Sequence, residues 1–187
     1  MRWLNSIILA VILIQGGFVQ AEPVNRGKLQ QVKRDTALFG KILSEVLKQS
    51  FDNPFALGSD PQGSYVEGYG VSISFLLRIN RGSIRGIYGE IRYPEKGRDA
   101  GMTKEEKLAL VKKITSRTLV DYGGTIRGLN NSEHVSISAH IEDRNEWDQA
   151  DKMTIIVISG TVKEINEMSN ADLSDQDLLR RLKILEY

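Results

Sequence analysis

The sequence predicts an α+β domain in which a long N-terminal helix and a second helix pack on one face of a mostly antiparallel sheet. Three observations carry that expectation. A helical period runs from Lys28 to Phe51, apolar residues alternate from Val71 to Ile79, and two strand-like runs, Ser132 to Arg144 and Lys152 to Ser159, are joined by a short polar turn.

In the first run Leu29, Val32, Thr36, Phe39, Leu43, Val46 and Ser50 recur at steps of three and four. Asp52-Asn53-Pro54 ends it, because proline cannot continue a helix and biases its predecessor out of the α region. Ala56 to Ser64 (ALGSDPQGS) reads as a turn-rich loop. Val71, Ile73, Phe75, Leu77 and Ile79 then alternate with Ser72, Ser74, Leu76 and Arg78, a strand with one buried face. Asn80 to Ser83 can turn the chain, and Ile84 to Tyr93 is expected back as a second strand, weakened by Gly86 and Gly89.

Thr103 and Glu106 stand at capping-box spacing ahead of a helical run that stops at Gly123-Gly124. In the next strand Val135, Ile137, Ala139 and Ile141 face one way and His134, Ser136, Ser138, His140 and Glu142 the other. Lys152 to Ser159 is almost continuously apolar and suits a strand covered on both faces. Thr161 to Met168 and Ser174 to Leu182 read as short helices, and Lys183 to Glu186 as a terminal strand.

The N-terminus predicts the compartment. Arg2 precedes an apolar core from Leu4 to Ile14, and Val19-Gln20-Ala21 offers short side chains at a cleavage site, the three-part pattern of a bacterial-type secretory signal. The expected organisation is a signal peptide over 1–21, a mobile leader over 22–27 and a single α+β domain over 28–187, in a periplasmic or secreted protein. Retention of residues 1–21 is the alternative, which would tether the chain to a membrane. The sequence holds no cysteine, which removes lipidation at an N-terminal cysteine, disulfides and thiol chemistry.

Losing residues 1–21 removes Arg2 and no acid, leaving 24 basic against 24 acidic residues, a balance that excludes a general nucleic-acid binder. Charge is uneven within that balance: Arg78, Arg81, Arg85, Arg92, Lys96 and Arg98 cluster, while acids dominate beyond Glu142.

Catalytic constellations fail on residue counts. His134 and His140 lie about 20 Å apart on one strand and cannot share a metal. Gly70-Val71-Ser72-Ile73-Ser74 lacks the second glycine of a nucleophile elbow. Gly68-Tyr69-Gly70 opens a strand where a dinucleotide loop opens a helix. Asp148 and Thr154 stand where a calcium loop needs glycine and a bidentate acid. No metal and no cofactor is therefore expected. Glu67, Glu90, Glu142, Asp143, Glu146 and Asp148 keep open a carboxylate-dependent hydrolase of an envelope polymer, provided two of them face each other across a cleft.

Tyr65-Val66-Glu67-Gly68-Tyr69-Gly70 places two tyrosines and two glycines around an acid just ahead of the most regular strand. The glycines imply positive φ angles or a close backbone approach. With the arginines that follow, the segment suggests a binding surface made of Tyr65, Glu67, Tyr69, Arg78, Arg85, Tyr88 and Arg92, suited to an envelope protein or a glycan. Together with Leu38-Phe39-Gly40 in the preceding helix, this Tyr-x-x-Gly-Tyr-Gly stretch resembles a group of uncharacterised exported bacterial proteins with no assigned activity. That resemblance implies export and brings no catalytic residue with it. The leading expectation is a non-catalytic binding or accessory module.

Overall fold

The computed structural model describes residues 26–51, 57–79, 83–86, 89–92, 101–143 and 152–187. Helix α1 (Arg26–Ser50) is followed by strands β1 (Leu57–Val66), β2 (Gly70–Ile79), β3 (Ser83–Gly86) and β4 (Gly89–Arg92). Helix α2 (Lys104–Tyr122) runs into a 3₁₀ turn at Gly123–Thr125. Then come β5 (His134–Asp143), β6 (Lys152–Thr161), α3 (Val162–Asn170), α4 (Asp175–Arg181) and β7 (Lys183–Glu186). The expected signal over 1–21 lies outside the described residues. Arg26 and Gly27, assigned by the sequence reading to a mobile leader, belong to α1.

Five strands form one sheet in the order β1-β2-β5-β6-β7. All its pairings are antiparallel except β2 with β5, whose parallel register runs from Gly70↔His134 to Ile79↔Asp143. A parallel pair needs a crossover, and α2 lies within it. The fold is thus the predicted α+β arrangement, corrected in three places.

Residues 57–64, expected as loop, are most of β1. Their period-two signal is hidden because Gly58, Pro61 and Gly63 carry little side chain to pattern, and because register shifts fall between Leu57, Ser59 and Gln62. Within the span 84–93, expected back onto β2, the described strands β3 and β4 pair with each other in a separate two-stranded sheet. The two faces of β6 are unequally covered, Ile155 and Val157 being only partly buried. Ile156 and Ile158 are buried, whereas Met153 on the opposite face is 52% exposed.

The core follows from the alternation. Val71, Ile73, Phe75, Leu77 and Ile79 of β2 and Val135, Ile137, Ala139 and Ile141 of β5 meet Ile156 and Ile158 of β6. Val32, Phe39, Leu43 and Leu47 of α1, Val111 and Leu119 of α2, Ile165 of α3 and Leu178 of α4 close over them. Full burial of each Val, Leu, Ile or Phe side chain among them stabilises by about 1.5–3 kcal/mol. The opposite face of the sheet is hydroxyl-rich, with Ser64, Ser72, Ser136 and Ser159 in one register row.

Local signals fix the helix starts. Thr103 and Thr161 each form a complete capping box, with Glu106 and Glu164 respectively, and Ser174 caps α4 through the Asp177 amide. Among the described residues no helix is long and apolar enough to cross a membrane.

Candidate functional site: a groove between α1 and the edge strand

The sheet ends at β1, whose only strand partner among the described residues is β2. Helix α1 runs antiparallel along β1, held close by small side chains. Ser44 Oγ donates to Asp60 Oδ1 at 3.1 Å. A Cβ added at Gly40 would lie 3.1 Å from the Pro61 carbonyl oxygen, and one added at Gly63 would lie 2.2 Å from Thr36 Cγ2. Larger residues at these two positions would push helix and strand apart.

Outside this seam lies a cavity of about 850 Å³, lined by Lys33, Ala37, Lys41, Glu45 and Lys48 from α1 and by residues 60–65 from β1. Lys48 Nζ sits 3.2 Å from Glu45 Oε1 and 4.0 Å from Asp60 Oδ1. Lys33 and Lys41 are exposed and have no ionic partner among the described residues. Thr36, in the same wall, is buried, and its hydroxyl has no hydrogen-bond partner among the described residues. Buried hydroxyls are almost always satisfied, so the folded chain leaves one polar group here unserved.

Behind the groove two buried carboxylates, Asp35 and Glu133, are tied down. Asp35, buried on α1, accepts from the Arg127 backbone N–H at 3.0 Å, from Arg127 Nε and Nη2 at 3.0 Å each, and from Gln31 Nε2 at 2.8 Å. The Arg127 guanidinium foremost holds its carboxyl down at about 2, against the opposing effect of burial. Tyr65 Oη donates to the buried Glu133 Oε1 at 3.0 Å, while Glu133 Oε2 accepts from the Asn130 amide at 2.6 Å. Burial first, and the Glu133 carboxylate second, push the Tyr65 hydroxyl up to about 12. These two clamps fix α1 and β1 to the 126–133 loop.

Of the residues singled out from sequence, Tyr65, Glu67 and Tyr69 lie at one end of β2 and Arg78 at the other. Tyr65 lines the groove, but its hydroxyl is spent on Glu133. Tyr69, half exposed, stacks on His134 with ring centroids 5.7 Å apart. Glu67 is exposed in the turn between β1 and β2. Arg78 sits at the other end of β2, its Nε 2.8 Å from Glu142 Oε2. Arg85 and Arg92 fall in β3 and β4, and Tyr88 lies outside the described residues, as do Glu146 and Asp148. The glycines have a structural role. Gly68 and Gly70 have φ of +78° and +124°, and a Cβ at Gly70 would lie 2.0 Å from the His134 carbonyl oxygen, where β2 and β5 begin their register.

Glu67 and Glu142 bracket β2 from opposite ends, roughly 25 Å apart at about 3.3 Å per strand residue, too far to work as an acid pair. Among the described residues no group of three or more His, Cys, Asp or Glu side chains is placed to hold a metal ion. Sequence reasoning missed Lys33, Ala37, Lys41 and residues 60–64. The spacing of four between Lys33, Ala37 and Lys41 on the polar side of α1 was the legible signal. Comparison with protein-family models, with curated proteins and with solved structures gives no match.

Proposed function

We propose that this chain is an exported, non-catalytic binding module that engages an extended segment of an envelope protein in the groove between α1 and β1. The observation that carries the reading is the outer edge of β1, which has no strand partner among the described residues, beside a cavity lined by β1 and α1. An edge strand presents unpaired N–H and C=O groups. An extended peptide laid against such an edge gains main-chain hydrogen bonds, and side-chain pockets beside it supply selectivity. Residues 62–66 pair with β2 in unbroken register, so their outer edge offers a regular template, whereas Pro61 and the preceding shifts blunt residues 57–61. Export is supported by Arg2, the apolar run Leu4 to Ile14 and Val19-Gln20-Ala21.

A glycan partner is less well served. Tyr65 directs its hydroxyl inward, and one face of the Tyr69 ring is taken by His134. For the hydrolase alternative, Glu67 and Glu142 stand too far apart to act together, and Glu45 and Asp60, two acids that do meet in the groove, are both engaged by Lys48.

The test is site-specific photo-cross-linking in a bacterial host that secretes the chain from its own N-terminus. A photoreactive residue at position 37 is expected to capture a protein in the soluble envelope fraction, on a chain whose mass lacks residues 1–21. The same residue at position 185, on the far edge strand, is expected to capture none. Equal capture from both positions, or none from position 37, would remove the groove as the binding surface.

A further inference from the structure

We infer that the groove selects an acidic segment with a defined spacing: an acid, any residue, a small apolar residue, any residue, an acid. This rests on the strand-addition reading above and specifies its ligand. The argument is one of matching rises. Thr36 against Gly63, Gly40 against Pro61 and Ser44 against Asp60 show that the axis of α1 follows β1 in the opposite direction. Four helical residues advance about 6 Å, and two strand residues advance about 6.6 Å. The succession Lys33, Ala37, Lys41 along the groove wall therefore keeps step with every second residue of a strand added to β1.

Alternate side chains of such a strand point to the same side. Three of them would meet, in turn, an ammonium, a methyl and an ammonium. Lys33 and Lys41 are available for this because neither has an ionic partner among the described residues. Lys48, the next lysine along, is already shared by Glu45 and Asp60, so it adds little to the selection. The exposed Ala37 methyl offers a short apolar contact between the two ammonium groups. Because the pattern reads the same in both directions, parallel and antiparallel addition are both accommodated. The unserved Thr36 hydroxyl sits in the wall between Lys33 and Lys41.

Fluorescence anisotropy with the full chain tests this. Four labelled peptides of equal length and identical flanks carry the cores Asp-Thr-Ala-Thr-Asp, Asn-Thr-Ala-Thr-Asn, Thr-Asp-Ala-Asp-Thr and Lys-Thr-Ala-Thr-Lys. The first is expected to bind about tenfold tighter than the second at low salt, since two exposed ion pairs supply about that much. It should also exceed the third, which has the same composition but the wrong spacing. In the double variant Lys33→Glu, Lys41→Glu the preference should reverse to the lysine peptide. The milder Lys33→Ala, Lys41→Ala variant should lose the preference without reversing it, and an unchanged thermal melt shows that both variants fold.

If all four peptides bind equally, the spacing rule falls while strand addition stands. If the first and third bind equally and polygalacturonate competes as well as either, the wall is a general polyanion surface and the rule is overturned. If no peptide binds, or if backbone amide shifts map away from residues 57–66, both readings fall.

Discussion

The two edges of the sheet are built differently. β7 has four residues, Lys183 to Glu186, with a charge at each end; Lys112 Nζ lies 2.6 Å from Glu186 Oε2, and Tyr187 continues the pairing through its N–H and C=O to Ile155. Short length and charged side chains are the usual means of keeping an edge from recruiting another strand. β1 has ten residues, and only its first half is interrupted by register shifts and by Pro61. Its second half, Gln62 to Val66, is regular, and beside it the chain has placed a groove and two lysines with no ionic partner among the described residues. A fold that blunts one edge throughout and the other only half-way has left its interaction capacity on one side. That contrast depends on three things: β1 must be held rigidly, α1 must be anchored as its wall, and β7 must be silenced by its charges.

The largest expected effect comes from breaking the seam that holds β1 and β2 onto β5. Replacing Gly70 by valine puts a branched side chain on a residue with φ of +124°, with its Cβ 2.0 Å from the His134 carbonyl oxygen. Strain of this kind together with a lost register contact should cost about 3 kcal/mol or more, read as a fall in the urea midpoint at unchanged slope. A loss below about 1 kcal/mol would mean that β1 and β2 form a flap loosely joined to the rest, and the rigid-edge argument would go with it.

The anchor of α1 comes next. Asp35 has its pKa lowered from 3.8 to about 2, chiefly by the Arg127 guanidinium. The folded state binds this proton less tightly than the unfolded chain. Its contribution to stability is therefore complete above about pH 4 and fades as the pH falls through about 2. The guanidinium is largely exposed, so solvent screening trims the contribution to about 1–2 kcal/mol. Asp35→Asn should lose that amount at pH 7 and should show a flatter acid limb between pH 4 and pH 2 than the parent. Identical acid limbs would show that α1 is anchored by its apolar stripe alone.

Much of this frame was legible in the sequence, and the unread parts share a cause. Helix starts announce themselves locally: Thr103 with Glu106, and Ser174 with Asp177, need only three residues of spacing to be recognised. The alternation of β2 and β5 reports burial on one face, which is why the core residues were readable from Val71 to Ile79 and from Val135 to Ile141. β1 was hidden because an edge strand seamed to a helix by Gly40 and Gly63 has few side chains to pattern. The parallel pairing of β2 with β5 and the pairing of β3 with β4 were not readable either, because partner choice between strands is settled by long-range packing rather than by local periodicity. The groove is made entirely of such a juxtaposition. Lys33 and Lys41 look like ordinary solvated lysines until β1 is laid beside them.

The smallest effect on stability, and the sharpest test of the contrast, lies at β7. Replacing Lys183 and Glu186 together by valine removes both charges from the edge and breaks the ion pair with Lys112, which at a half-exposed site is worth about 0.2–1 kcal/mol. Valine's preference for strands should offset most of that, so the unfolding free energy should stay within about 0.5 kcal/mol of the parent. The change should appear instead in association. An edge stripped of its charges, flanked by the half-exposed Leu185 and the exposed Tyr187, should pair with a second copy of itself. A concentration-dependent dimer in sedimentation velocity is then expected where the parent shows none. If the variant stays monomeric, β7 is protected by its brevity rather than by its charges. The difference between the two edges would then reduce to length, and β1 would be the template because it is the longer of the two.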